Sequence, residues 1–206
     1  GLPASVRAVV GQRVRRLGDE AHQVLATAAV VGREFDVDLV RAVAQLDEDV
    51  VLDTLDAAVA AGLVAGAPAG PDRFTFTHAL VQHTLYDELN GPRRVRLHQR
   101  VAEALEASLG DDPGERIGEL ANHWLAATRP ADLDKAVAYG RRAGDRAMVA
   151  LAFDEAARWY TQALNAIDQQ PGPDPHHRCE LLIALGQAQD AEREGRGFPS
   201  FCDAGE

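Results

Sequence analysis

His78 is the residue of this chain best placed to do chemistry. It stands in Asp72-Arg-Phe-Thr-Phe-Thr-His-Ala-Leu80, where an alternating pattern turns directly into a helical one. Phe74 and Phe76 alternate with Thr75 and Thr77, the period of a half-buried strand, and from Ala79 onward Val81, Leu85 and Leu89 share one helix face. Thr77 is expected to cap that helix, which leaves His78 at its positive end. A histidine there can contact a phosphate, because the first-turn N–H groups and the helix dipole favour an anion at the same place.

Other residues with chemically useful side chains read more blandly. His98 lies on an apolar helix face and reads as a core histidine. His176, His177 and Cys179 are metal-ligand types, but they fall in a Pro-rich loop with no fourth ligand nearby, which argues against a closed site. Arg93, Arg96 and Arg100 share a helix face that can dock on a phosphate or a neighbouring domain. The commoner arrangement is a solvated face paired with carboxylates such as Glu103, an i+3 neighbour of Arg100. Arg7, Arg13 and Arg16 carry the same ambiguity. Trp124, Trp159, Tyr139 and Tyr160 occur at helical spacing and read as core rather than a ligand cage.

The chain carries no self-contained catalytic apparatus that its motifs reveal. A P-loop needs Gly-x4-Gly-Lys-[Ser/Thr], yet the one lysine is Lys135, in Leu-Asp-Lys-Ala. Gly-x-Ser-x-Gly, His-Glu-x-x-His and Cys-x-x-Cys are likewise missing from the sequence. Cys179 and Cys202 belong to no paired motif, and a reducing cytoplasm is the default compartment. No apolar run approaches membrane-spanning length, so no membrane partner is expected. A net charge of −11 disfavours non-specific nucleic-acid binding.

The elements that must position His78 can be read along the 206 residues, whose Ala/Val-rich apolar set predicts a mainly α fold. A first helix covers Leu2 to Leu17, with Pro3 at its start. A second begins at Asp19, expected as its cap, and ends at Gly32. Asp36 to Ala44 is a third helix, and Asp47 to Ala61 a fourth that buries Val51, Leu55, Ala58 and Val59 and stops at Gly62. Leu63 to Ala65, a Gly/Pro turn and the Arg73–Thr77 strand form a two-stranded hairpin, so helices followed by a hairpin describe a winged helix. Helices follow from Ala79 to Leu89 and from Arg93 to Leu109, the latter with Val95, His98, Ala102, Leu105 and Leu109 on one face.

Gly110 to Gly114 reads as a linker, giving residues 1–110 as a winged-helix module and 111–206 as a helical array. In the array, Ile117 to Leu125, a helix from Pro130-Ala-Asp132, Phe153 to Ile167 and Cys179 to Arg193 are helical, with a loop at Gln170 to Pro175. Leu133 through Ala143 aligns with Phe153 through Ala163 as an internal repeat. Small residues at Ala136, Gly140, Ala143, Gly144 and Ala147 would let neighbouring helices approach closely and stack as a solenoid. Both ends of the chain read as cuts in a longer polypeptide.

A DNA-binding winged helix would place Asp47–Ala61 in the major groove. That segment carries Asp47, Glu48, Asp49, Asp53 and Asp56, and no Lys or Arg occurs between Arg41 and Arg73. Pressing those carboxylates on phosphates is unfavourable, so no direct DNA binding by this segment is expected.

Several motifs, in order, carry a resemblance over nearly the whole chain. They are Leu2-Pro-Ala-Ser-Val-Arg7 through Val14-Arg-Arg-Leu17, Ala28-Ala-Val-Val-Gly-Arg-Glu-Phe35, Phe74-Thr-Phe-Thr-His-Ala-Leu80 with Tyr86, and Arg94-Val-Arg-Leu-His98 with Ala102-Glu-Ala-Leu-Glu106. Together they resemble the region after the nucleotide-binding core in STAND-type ATPases of bacterial signalling proteins, such as large LuxR-type transcriptional regulators and cyclase-fused relatives. The resemblance implies an upstream P-loop ATPase domain in the same chain, a winged helix over its nucleotide, and tetratricopeptide-like repeats that bind a protein or small-molecule effector. Leu182, Leu185 and Gly186 resemble the first helix of such a repeat, and Ala156, Tyr160 and Ala163 the second, although the Gln170–Arg178 loop is longer than a regular repeat allows.

By the same resemblance His78 matches a histidine that touches bound ADP and holds the off state. The fragment itself is then non-enzymatic and needs no cofactor, with ATP or ADP bound by the parent protein. The same segment in a nucleotide cyclase or kinase, and a stand-alone peptide-binding adaptor, are the alternatives.

Overall fold

The computed structural model describes residues 4–68, 70–110, 112–127, 129–170 and 172–196, without the side chains of 4–8, 130, 195 and 196. The expected helix start at Pro3, the side chain of Arg7, and Cys202 lie outside the described residues. The fold is mainly α, with one small antiparallel sheet, and the chain divides into two compact units, Gly1–Leu109 and Gly110–Glu206.

The first unit runs α1 (Ala4–Arg15), α2 (Asp19–Val31), β1 (Glu34–Asp36), α3 (Val37–Ala44), α4 (Glu48–Ala60), β2 (Val64–Gly66), β3 (Arg73–Phe76), α5 (Ala79–Glu88) and α6 (Gly91–Leu109). The sheet has three strands, ordered β1-β3-β2, where a two-stranded hairpin was expected. Phe35 of β1 pairs with Phe74, and Val64 of β2 pairs with Phe76, so β3 is bonded on both sides. Helix, strand, two helices and a hairpin, with the first strand on the outer edge, make a winged helix.

Local chemistry explains the boundaries. Asp36 leaves β1 in extended conformation and caps α3, its carboxylate accepting from the N–H groups of Asp38 (2.9 Å) and Leu39 (3.3 Å). Asp19, expected as the cap of α2, is instead its first helical residue; Gly18 holds the cap position and provides no side-chain bond. Gly62 sits at φ +68 after α4, and Leu63 N–H reaches back to Ala58 O while Gly62 N–H reaches Val59 O, a Schellman closure.

Nine residues of α2 are buried, which makes it the central helix; α3, α4, α5 and α6 all pack on it. On α4 the buried set is Val51, Thr54, Leu55 and Ala58, whereas Val59, expected inside, is 43% exposed. On α6, Leu97, His98, Val101, Ala102 and Leu105 are buried, while Val95 and Leu109 at the edges of the expected face are half-buried.

Every regular element among the described residues of the second unit is helical: α7 (Ile117–Ala126), α8 (Leu133–Val149), α9 (Phe153–Ile167) and α10 (Pro175–Arg196), with short 3-10 turns at Gly114–Arg116 and Pro130–Asp132. Each helix packs chiefly on its neighbour in sequence, α7 on α8, α8 on α9 and α9 on α10. The α8–α9 seam is close because α8 brings a run of small residues to it: Ala136, Gly140, Ala143, Gly144 and Ala147 are all buried. A Cβ on Gly140 would lie 3.2 Å from the Cβ of Ala163, and one on Gly144 would lie 2.5 Å from the ring of Tyr160.

Two expectations change here. α10 begins at Pro175, not Cys179, so the loop before it is shorter than the sequence suggested. Asp174 accepts from His176 N–H at 2.9 Å and starts the helix, with Pro175 in the first helical position where its missing N–H costs nothing. Gly186, in contrast to Gly140 and Gly144, faces open space.

Candidate functional site

The β3–α5 junction is held from both sides. Phe76, 1% exposed, packs against Phe35 with ring centroids 5.3 Å apart. Thr77 does not cap α5, as the sequence suggested. Its N–H donates to Leu63 O (3.1 Å), and its hydroxyl lies 2.9 Å from Gly62 O and 3.1 Å from Leu63 O, which ties the end of β3 to the turn after α4. The hydroxyl is therefore already engaged, and His78 takes the cap position with extended backbone (φ −136, ψ 134).

His78 makes no side-chain capping bond; its carbonyl accepts from Val81 N–H at 2.9 Å. The ring is exposed, and no hydrogen bond or ion pair engages it among the described residues. α5 has no acidic residue in its first turn, so its positive end is not neutralised by its own side chains. Behind the ring the helix is anchored. Val81, Thr84, Leu85 and Leu89 are buried, and Gln82 donates to Ala29 O on α2 at 3.2 Å. The result is an exposed, unengaged imidazole beside a helix N-terminus on an anchored backbone, an arrangement able to contact an anion.

The other candidates separate cleanly. His98 is buried, with Tyr86 Oη 3.0 Å from its Nε2 and the two rings edge to face, and Arg94 lies over the Tyr86 ring. It is a core histidine. His176, His177 and Cys179 lie on the first turns of α10 rather than in a loop. His176 lies near Glu180 and His177 near Asp174, each at 3.6 Å. No cluster of three or more His, Cys, Asp or Glu suited to a metal occurs among the described residues.

The aromatic set is core. Trp124, Trp159 and Tyr160 are buried, Tyr139 stacks on Trp124, and Tyr160 donates to Asp145 at 2.8 Å. Burial, followed by that hydrogen bond, pushes the Tyr160 phenol well above its ordinary range.

Arg93, Arg96 and Arg100 line a groove of about 410 Å³ between α6 and α2. The pairing expected between Arg100 and Glu103 does not form; Glu103 instead accepts from Gln99 at 2.9 Å. Sequence spacing located the arginines but not their surroundings. Gln23 and Thr27 of α2 and Ala44 of α3 line the same groove from far away in the chain, and no linear signal connects them.

No family model matches this chain, and no solved structure matches it. Over 187 residues, 89% of its length, it is 26% identical to an uncharacterized protein of Rhizobium meliloti (strain 1021). The chain spans 18% of the length of that curated relative. No described helix is long and apolar enough to cross a membrane.

Proposed function

We propose that this chain is the non-catalytic regulatory segment of a STAND-type P-loop ATPase, most simply a LuxR-type transcriptional regulator of the bacterial cytoplasm. In this reading the winged helix reports the nucleotide state of an ATPase domain upstream in the same chain, and the tetratricopeptide-like helices bind a protein or small-molecule effector. The observation that carries it is the His78 junction: an unengaged imidazole at the unneutralised N-terminus of α5, on backbone continuous with a doubly paired strand. A contact from that ring to the phosphates of ADP would tie the wing to the ATPase core, and exchange for ATP would favour release.

One further observation supports a regulatory rather than DNA-reading wing. The carboxylates Asp47, Glu48, Asp49, Asp53 and Asp56 are all exposed on or beside α4, the helix that would enter a major groove. The matched stretch is 18% of the relative's length, which is compatible with the chain being a segment of a longer protein.

The test is a titration of labelled ADP and ATP into the full-length parent and its His78→Ala variant. The proposal expects ADP affinity to fall about tenfold or more, the size of one charge-assisted hydrogen bond, with ATP much less affected. Equal ADP affinity in both proteins would leave His78 a structural cap and refute the latch.

A further inference from the structure

We infer that the groove formed by Arg93, Arg96 and Arg100 binds a small ligand carrying two or three phosphate groups, at a site separate from the His78 junction. The chain holds 32 carboxylates against 21 basic residues. Even so, three guanidinium groups on one helix face line this groove, no carboxylate lines it, and none of the three forms an ion pair among the described residues. Like charges at such spacing repel by a few tenths of a kcal/mol each, and a polyanion in the groove would turn that repulsion into attraction.

Neighbouring Arg94 shows the contrast, because its Nε donates to Leu89 O at 2.9 Å and its guanidinium covers Tyr86. Arg94 is used in holding the fold, and the other three are not.

The walls are built and already satisfied. Thr27 donates its hydroxyl to Gln23 O (2.9 Å), Gln23 donates its amide to Ala44 O (3.1 Å), and Asn90 accepts from Arg93 N–H (2.9 Å) to fix the start of α6. Leu97 is 8% exposed and forms part of the floor. The guanidinium forks therefore supply the unspent charge, and their planar geometry matches phosphate oxygens two at a time.

Size and charge narrow the ligand. Arg93 to Arg100 spans about 10 Å along the helix axis. The volume of about 410 Å³ falls within the small-molecule range. Two or three phosphates neutralise three cations within that length. A long nucleic acid would have to lie along a chain of net charge −11, which repels it.

The site does not depend on the nucleotide-latch reading. Leu89 at its edge and His78 stand at opposite ends of α5, roughly 15 Å apart along the helix.

Calorimetric titration of the 206-residue chain with sodium tripolyphosphate at about 50 mM salt tests the site, since low ionic strength keeps exposed charges unscreened. Binding is expected, weakened about tenfold in Arg96→Gln and in Arg100→Gln, the size of one lost charge-assisted contact. Arg193→Gln on α10 should leave it unchanged, and circular dichroism should show every variant folded. Citrate and a short glutamate peptide, run alongside, should bind at least about tenfold more weakly, because each carboxylate carries a single charge. Absence of tripolyphosphate binding would overturn the inference. So would binding indifferent to the groove variants, or equal binding of citrate, while tighter binding of the peptide would assign the groove to an acidic protein segment instead.

Discussion

Replacing Gly144 by alanine isolates the packing that holds the helical array together. In an exposed helix interior, Gly→Ala gains about 1 kcal/mol from backbone entropy alone. At Gly144 the new Cβ would lie 2.5 Å from Cε1 of Tyr160 and 2.8 Å from Cδ1 and Cζ. Carbon atoms rest at about 3.5–4.0 Å, so the ring or the helix must retreat by about 1 Å. The ring cannot swing away cheaply, because Tyr160 is 2% exposed and its hydroxyl is bonded to Asp145.

Overpacking of this kind costs about 1–3 kcal/mol, and three ring atoms under compression put it in the upper half of that range. After subtracting the propensity gain, a net loss of about 1–2 kcal/mol is expected. Gly186→Ala is the internal control. It lies within α10, nothing stands within 4 Å of its Cβ, and it should gain up to about 1 kcal/mol.

The assay is thermal unfolding followed by tryptophan fluorescence, which reports this unit because both tryptophans, Trp124 and Trp159, lie in it. The two variants should differ by about 1–3 kcal/mol, which for a unit of this size separates their Tm values by roughly 5–20 °C. Equal Tm values would refute the argument that the α8–α9 seam is set by the absence of a side chain at Gly144.

The turn between α8 and α9 uses the Schellman closure seen after α4, with Leu151 N–H on Met148 O and Ala152 N–H on Ala147 O. Here the left-handed position (φ +58) holds leucine, 74% exposed, instead of glycine. Leu151→Gly is expected to raise the stability of the array by about 1 kcal/mol in the same fluorescence assay, since little burial is lost and left-handed strain is relieved; a loss would mean the side chain is used.

Glu180, bonded to Arg141, is held below the ordinary carboxylate range by that hydrogen bond first and by the charge of Arg141. A depressed folded-state pKa contributes stability that is complete above the unfolded pKa and is lost as pH falls through the folded one. The fluorescence-reported Tm should therefore drop as pH falls from about 5 to about 3, and Glu180→Gln should flatten that drop. An unchanged slope in the variant would sink this assignment.

Elements with strong local signals were legible in the sequence. Gly62 after an apolar periodic segment marked the end of α4, and the run of small residues on α8 marked the close seam, because each is a property of one segment. β1 was not legible. Three residues, Glu34–Asp36, carry no readable period, and their pairing partner Arg73–Thr75 lies far downstream. Thr77 misled because a threonine before a helix is a good cap in isolation, whereas the turn after α4 offers its hydroxyl two carbonyls. Val59 misled because it stands four residues from Leu55, yet the buried stripe of α4 runs through Thr54 instead. At the candidate sites, His78 and the three arginines could be named from spacing. The groove that gives the arginines meaning could not, because α2, α3 and α6 form it only after folding.

The junction has a mechanical consequence that follows from which side chains are spent. Going along the chain, Phe76 is committed to the sheet core, Thr77 to the turn after α4, and His78 to nothing among the described residues. The first free side chain thus occurs where the backbone passes from a strand bonded on both edges to a helix packed on α2. A ligand contact made by a loop residue would be absorbed by the loop. A contact made by the His78 ring bears directly on β3 and α5 together, and through Gln82 and the buried face of α5 on α2, the central helix of the unit. Under the proposed reading, a single phosphate contact there biases the placement of the whole winged helix. That is what a latch requires, because the shift it produces is limited only by the difference in contact energy between the two states.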